Sequence, residues 1–345
     1  ANGRTRRPRG PAAAPIASVW RMQRPTGPGA GPAPSDHATE PLVIAVDLST
    51  TACKAIAFCT HGEAVALARV PLGTSSPQAG WQEQSSEDWW RSMCEALHGL
   101  TTELGTADLR ALSITHQRET FVCLGQDGRA LRPAILWLDT RATAQAEALG
   151  SGEIHELTGR QPSSTPSFYK LAWLRELEPD VLERTVMVAD VHAYLVGRLT
   201  GDWVTSWSSA DPTGLLDVRT FRFAPSLLQQ VGIDEQQLPR LVAPGAALGH
   251  VLEAATQETG LPPGLPVVAG AGDGHCAGLG AAVCAGGEVY VNLGTAVRLG
   301  VLADRCLTGM AVRTLARRGA GRGTVEAALA SGVRCVEGVR ARVGR

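Results

Sequence analysis

Two short segments combine residue types that can handle a phosphate. In Val43-Ile44-Ala45-Val46-Asp47-Leu48-Ser49-Thr50-Thr51, an apolar run delivers an aspartate to a turn of small hydroxylated residues. In Val267-Val268-Ala269-Gly270-Ala271-Gly272-Asp273-Gly274, a second apolar run delivers an aspartate between glycines. A strand holds a carboxylate rigidly at its mouth, and small neighbours let a phosphate approach the backbone. Phosphoryl transfer needs that pairing, because its catalysis is mostly positioning and charge stabilisation. In the first segment Asp47 could place a Mg²⁺ ion through water, the Ser49, Thr50 and Thr51 backbone and hydroxyls could cradle phosphate oxygens, and Lys54 could add a cation. The plainer alternative is an aspartate that ends a strand and caps a turn. Asp273 could take a proton from an attacking hydroxyl as a general base, or simply cap the helix expected after it; the two roles are compatible.

Between these segments lie polar clusters suited to a polyhydroxylated ligand. Thr115-His116-Gln117-Arg118-Glu119-Thr120 places five side chains of hydrogen-bonding capacity after a strand. Each sugar hydroxyl needs both a donor and an acceptor, although a solvated polar loop has the same composition. Trp137-Leu138-Asp139-Thr140-Arg141 adds an aromatic face beside a carboxylate and a guanidinium. Apolar sugar faces stack on such rings, but a tryptophan at a strand end is commonly core. No second ligand stands at metal-binding spacing from His116. Gly294-Thr295 reads as a turn that could clamp a second phosphate.

The elements expected to carry these residues form an α/β pattern over about 41–302. Leu42–Val46 reads as a strand, and Lys54–Cys59 with Glu63–Val70 as a hairpin around His61-Gly62. Ser86 is expected to cap a helix over Glu87–Leu104. Leu109–Thr115, Phe121–Leu124, Ala134–Leu138 and Val186–Ala189 read as strands. Lys170–Leu182, His192–Leu199, Leu248–Thr259 and His275–Val283 read as helices, and Glu288–Leu293 as a strand. Asp202–Asp217 reads as irregular.

Composition narrows the function classes. The chain has 345 residues, 44% hydrophobic, enough for a substantial core. Its net charge of -1 conceals an asymmetry: residues 1–40 carry six Arg against two acids, and 303–345 nine Arg against three. The stretch between holds 17 basic and 28 acidic residues, which argues against a nucleic-acid-binding body. No apolar run reaches membrane-spanning length. The eight cysteines form no metal or CxxC spacing and read as reduced thiols of a cytoplasmic protein. Residues 1–40, with seven prolines, read as a disordered extension or an upstream-extended reading frame beginning properly near Met22; organelle targeting by this segment is the other option. Residues 303–345 read as an Arg/Ala/Gly-rich tail. A homo-oligomer is compatible with the composition.

The order of the motifs carries more than any one of them. Asp47-Leu48-Ser49-Thr50-Thr51, His116-Gln117-Arg118-Glu119-Thr120, Pro133 to Arg141, Lys170-Leu171-Ala172-Trp173-Leu174, Arg198-Leu199-Thr200-Gly201, Gly272-Asp273 and Leu293-Gly294-Thr295 resemble the FGGY carbohydrate kinases. The resemblance covers roughly residues 41–302, nearly the whole of that family's first domain. It implies an α/β, ribonuclease H-like ATPase domain of the actin, hexokinase and heat-shock chaperone type, with a mixed sheet flanked by helices. It also implies ATP and Mg²⁺ as cofactors, a small sugar or polyol as partner, and transfer of the ATP γ-phosphate to a primary hydroxyl. Carried over, Asp273 matches the catalytic base. Gln117, Arg118, Glu119, Trp137 and Asp139, with Asp273, fall on the substrate side. Asp47, Ser49, Thr50, Thr51 and Lys54 match the first phosphate loop, with Asp47 toward Mg²⁺ through water, and Gly294 and Thr295 match the second.

Two departures stand out. Ser49 replaces the glycine usual in the first loop, where a Cβ would be strained if φ were positive. The family's second domain, which holds adenosine and closes the cleft, is not recognisable after about residue 302, and little or no activity is expected from the chain as given. Gln117-Arg118-Glu119-Thr120 leans toward glycerol kinases, while Leu131 to Trp137 and the overall register lean toward xylulokinases. A ketopentose such as xylulose is therefore the expected substrate, a glycerol-type polyol the alternative, and a non-catalytic sugar-binding remnant the third reading.

Overall fold

The computed structural model describes residues 18–21, 40–105, 107–284, 288–293, 297–303, 313–316 and 323–329. The chain enters through the short strand β1 (Ser18–Arg21) and then forms a meander of β2 (Leu42–Leu48), β3 (Ala52–Cys59) and β4 (Ala64–Pro71). Alternation drives β2: Leu42, Ile44, Val46 and Leu48 are all buried. A short β5 (Glu83–Gln84) precedes helix α1 (Ser86–Leu104). Trp89, Met93, Leu97 and Leu100, spaced at helical period, form its buried face. Ser85, not the expected Ser86, is the N-cap residue, and Ser86 is already helical and buried. β6 (Leu109–His116) then runs parallel to β2.

The chain next builds a second layer from β7 (Phe121–Leu124), β8 (Ala134–Ile135), α2 (Thr143–Leu149), α3 (Gly152–Thr158), α4 (Ser167–Leu177), α5 (Pro179–Arg184), β9 (Met187–Asp190) and α6 (Val191–Thr200). The single helix expected over Lys170–Leu182 is thus two. Pro179 lacks an amide hydrogen and disfavours helical backbone at Glu178, so it starts a new helix rather than continuing the old one. Pairing in β8 stops at Ile135, short of the expected Leu138.

The stretch expected to be irregular holds β10 (Val204–Ser206), α7 (Trp207–Ala210), a 3-10 turn at Asp211–Thr213 and β11 (Leu216–Asp217). β12 (Arg222–Phe223), α8 (Pro225–Val231), β13 (Arg240–Val242), β14 (Ala247–His250) and α9 (Glu253–Thr259) follow. Leu248 lies in a strand rather than the expected helix because β14 pairs antiparallel with β15 (Pro266–Val268). α10 (Asp273–Gly280) succeeds β15, and β16 (Val289–Leu293), β17 (Val297–Ala303), β18 (Arg313–Ala316) and β19 (Gly323–Leu329) form a further sheet. The expected boundary at residue 302 therefore falls inside a paired strand, and the Arg-rich stretch contributes two strands. Likewise Ser18–Arg21, within the stretch expected to be unstructured, adds antiparallel to the open edge of β4.

The principal sheet has the order β1-β4-β3-β2-β6-β15-β14, with β2, β6 and β15 parallel and adjacent at its centre. α1 lies against β3 and β4 and also meets α6 and α9. This mixed sheet and its helices form the main core; a second core gathers around α4, from Phe121 and Ile135 to Leu238. Free cysteines 53, 59, 94 and 123 are buried, and burial pushes Cys94 and Cys123 up to about 12, as expected for unreactive thiols. Among the described residues no helix is long and apolar enough to cross a membrane.

Candidate active site

Three parallel strands end side by side, and each delivers a polar group to the same rim. Register places Asp47 opposite Thr115 and Leu48 opposite His116, while His116 bridges to Gly272. Asp273 therefore emerges beside the Gln117–Thr120 segment, at the carboxyl edge where open α/β sheets bind ligands. Small residues make this approach possible. A Cβ at Gly270 would collide with the Ile114 carbonyl, and one at Gly272 with the Arg118 side chain. Gly272 is the N-cap of α10 and Asp273 its first helical residue, so Asp273 is not the cap itself.

Arg118 is buried, and its Nε lies 2.7 Å from Oδ1 of Asp273, whose side chain is 56% exposed. The Gly274 amide donates to the same oxygen at 2.7 Å. The carboxylate is thus oriented from within and presented outward. Across β2 and β3, Lys54 Nζ donates to Asp47 Oδ2 at 3.0 Å, with both groups about one-third exposed. Ser49 closes the turn through its own amide and hydroxyl, which donate to the Ala52 carbonyl at 2.9 and 2.8 Å. It is absent from the residues of positive φ, so the strain expected of a serine there does not arise.

Thr50 and Gln117 belong to a part-buried hydrogen-bond ring. The Thr50 hydroxyl donates to Gln117 Oε1 at 2.9 Å and accepts from Trp137 Nε1 at 2.9 Å. Gln117 Nε2 donates to Gln84 Oε1 at 2.9 Å, and Gln84 Nε2 returns to the Thr50 carbonyl at 2.7 Å. A hydroxyl has one proton to give, and that of Thr50 is spent inside the protein.

Asp139 is fully buried and saturated. It accepts from the Gln82 amide (2.6 Å), the Arg141 amide (2.9 Å), Arg141 Nε (2.9 Å) and Arg141 Nη2 (2.7 Å). The same Arg141 reaches Glu83 at 2.8 Å and lies over the Trp81 ring at 3.8 Å, with Trp173 on its flank at 5.1 Å. Arg132 completes the cluster by joining Glu83 and Glu178.

Glu119 is buried at a φ of 58°, a left-handed backbone that costs a non-glycine residue about 1–2 kcal/mol. Arg160 lies 3.8 Å from it and also holds the buried Asp211 at 2.5 Å. Lys170 is wholly buried and donates to the Thr165 carbonyl at 2.6 Å. Burial pushes its ammonium down to about 7, while Glu119 and Asp139 pull the other way. Behind the rim, His192 accepts from the Gly270 amide at 3.4 Å and meets Thr205 at 3.1 Å. Burial, and next the neighbouring His116, pushes it down to about 3, which keeps it neutral.

The chain is similar to known proteins. Residues 42–280 match the FGGY family of carbohydrate kinases, N-terminal domain. The chain belongs to that family. It is 36% identical over 266 residues to a xylulose kinase of Streptomyces rubiginosus, covering 75% of this chain and 53% of that one. A glycerol kinase of Thermococcus kodakarensis is 29% identical over 265 residues, again covering 52% of its length. The chain thus spans about half the length of the curated relatives it matches. The crystal structure of xylulose kinase from Rhodospirillum rubrum superimposes with a TM-score of 0.82 at 27% identity, over 86% of this chain and 62% of that one. The ribonuclease H-like ATPase fold is therefore established.

Within this FGGY domain the residues expected on the substrate and phosphate sides divide. Asp47, Lys54, Arg118 and Asp273 gather at the rim. Gln117, Thr50 and Asp139 are tied into hydrogen-bond networks within the chain. Gly294 and Thr295 lie outside the described residues. Gln84, Arg160 and Asp211 were not singled out for any role from sequence. Gly80-Trp81-Gln82-Glu83-Gln84 is visible as a motif, but nothing local to Arg160 or Asp211 announces a buried ion pair 51 residues apart.

Proposed function

We propose that this FGGY domain serves the ATP-dependent phosphorylation of a small sugar or polyol at a primary hydroxyl, a ketopentose such as xylulose, with Asp273 as the general base. The observation that carries the reading is the pairing of a half-exposed carboxylate with a buried guanidinium at the carboxyl ends of parallel strands. Kinship with the Streptomyces rubiginosus xylulose kinase supports the choice of sugar. Kinship with the Thermococcus kodakarensis glycerol kinase keeps a glycerol-type polyol as the alternative.

In this reading Asp273 accepts the hydroxyl proton as the sugar oxygen attacks the γ-phosphorus of ATP, and the bond to the ADP leaving oxygen breaks. Arg118 fixes the direction of that carboxylate. Trp137, whose N–H is committed to Thr50, offers the sugar a ring face and not a donor. Arg118 and Glu119 flank the hydroxyls from the Gln117–Thr120 segment. Asp47 supplies the hard oxygen that Mg²⁺ prefers, and its one-third exposure leaves room for the water shell that this ion keeps. Mg²⁺ when bound supplies charge neutralisation between phosphates. Lys54 stands ready to share its charge with a phosphate oxygen, and Ser49 and Thr51 shape the loop. Gly294 and Thr295 are assigned to the second phosphate contact on the family resemblance. A cytoplasmic setting goes with this reading.

Coupled ADP release from Mg-ATP, with D-xylulose, D-ribulose, glycerol and erythritol as acceptors, tests it. Acceptor-dependent release that disappears in Asp273→Asn supports the kinase and names its substrate class. Sugar binding by calorimetry without any release would instead favour a sugar-binding role without turnover.

A further inference from the structure

Gln84 sits where the phosphate loop and the sugar-side segment meet, and all of its hydrogen-bonding capacity is used. Its Nε2 donates to the Thr50 carbonyl at 2.7 Å and the Gly73 carbonyl at 3.0 Å. Its Oε1 accepts from Trp89 Nε1 and from Gln117 Nε2, each at 2.9 Å. An amide has two donor hydrogens and two acceptor lone pairs, so nothing is left over.

The two backbone carbonyls set the direction of every other bond in the ring. A carbonyl can only accept, so Gln84 must turn its NH₂ toward Thr50 and Gly73 and its oxygen toward Gln117. Gln117 must then offer its own NH₂ to Gln84 and its oxygen to Thr50. Thr50 must therefore donate, and its lone pair receives the Trp137 indole N–H. Reversing the Gln84 amide would bring like groups together at all four of its contacts, and reversing that of Gln117 would set two amide oxygens against each other. Buried polar rings of this kind hold one arrangement because a partly satisfied one leaves desolvated groups behind.

We propose that Gln84 is a positioning residue that couples the phosphate loop to the sugar side through this directed ring, with Thr50 as the link to Trp137. The inference deepens the kinase reading and rests on it only for the ligands involved. A shift of the Ser49–Thr51 loop would pull on the Thr50 hydroxyl and carbonyl together; the hydroxyl passes that strain directly to Trp137, and Gln84 and Gln117 carry it to the fully buried Trp89.

The indole N–H resonances of ¹⁵N-labelled protein read the coupling without any ligand. In Thr50→Val, Trp137 should move because it loses its partner, and Trp89 should move although it never touches Thr50. Trp90, whose indole binds Glu258 at 2.8 Å outside the ring, should stay and serves as the control. A Trp89 resonance unchanged in Thr50→Val overturns the proposal. Gln84→Glu keeps the acceptor oxygen and deletes the donors, so it should shift Trp137 remotely; an unmoved Trp137 overturns it equally. With D-xylulose added, Trp137 and Trp89 should respond together, and Gln84→Glu should weaken sugar affinity about tenfold. A response of Trp137 alone sinks the coupling. Failure of any sugar to move Trp137, with the Thr50→Val shifts intact, sinks the kinase reading and leaves the ring standing.

Discussion

Asp139 and Asp273 each face an arginine, yet their surroundings give them opposite work. Asp139 is fully buried and accepts four hydrogen bonds, three of them from Arg141, whose guanidinium is clasped by Trp81 and Glu83. Asp273 keeps more than half of its side chain in solvent, with Arg118 beneath it. A carboxylate whose lone pairs are filled from within the fold has none to offer a substrate. One that is more than half exposed is accessible to a substrate hydroxyl. Residue type is the same for the two; exposure separates them.

That contrast can be broken at several points. Asp139→Ala should cost about 3 kcal/mol in denaturant unfolding, because it breaks a buried ion pair and leaves Arg141 with Glu83 as its remaining carboxylate partner. Arg141→Lys keeps the charge but gives up the bidentate fork and the stacking on Trp81, and a loss of about 1–3 kcal/mol is expected in the same experiment. Lys170 should impose a pH dependence. Its folded value of about 7 lies below the ordinary 10.5, so between these values the unfolded chain binds more protons. Wild-type stability should therefore rise relative to Lys170→Met as pH climbs from about 7 toward 10.5, by at most about 1.4 kcal/mol per pH unit, and show no such difference in slope below that window. Chemical denaturation of the two proteins across pH 6–10 would check it, and parallel curves would refute it. Ser49→Gly should change least, within about 0.5 kcal/mol, because no positive φ awaits relief there and only one local hydroxyl contact is lost.

Much of the fold was legible because alternation and turn residues encode it locally. The strand β2, the β3–β4 hairpin around His61-Gly62 and the glycine-flanked Asp273 all follow from short local runs. The misreadings share a cause. Leu248 lies in β14 rather than a helix because β15 offers it a sheet edge, which the local pattern cannot disclose. The polarity of Gln117, Thr50 and Asp139 is visible in the sequence, whereas their hydrogen-bond partners, Gln84, Trp137 and the Gln82 amide, are not, because they come from segments far along the chain. Pro179, by contrast, was visible and should have divided the helix. Polarity marks a candidate site; only tertiary hydrogen-bond accounting distinguishes groups that meet a ligand from those that support it.

The sharpest test of that distinction is the rate of xylulose-dependent ADP release from Mg-ATP by this domain joined to a family second domain, as wild type and as Asp273→Asn, with the melting temperature of each preparation as the check on folding. The account predicts a fall of about 10²–10⁴-fold with little change in melting temperature. A folded Asp273→Asn protein that phosphorylates xylulose at the wild-type rate would contradict it.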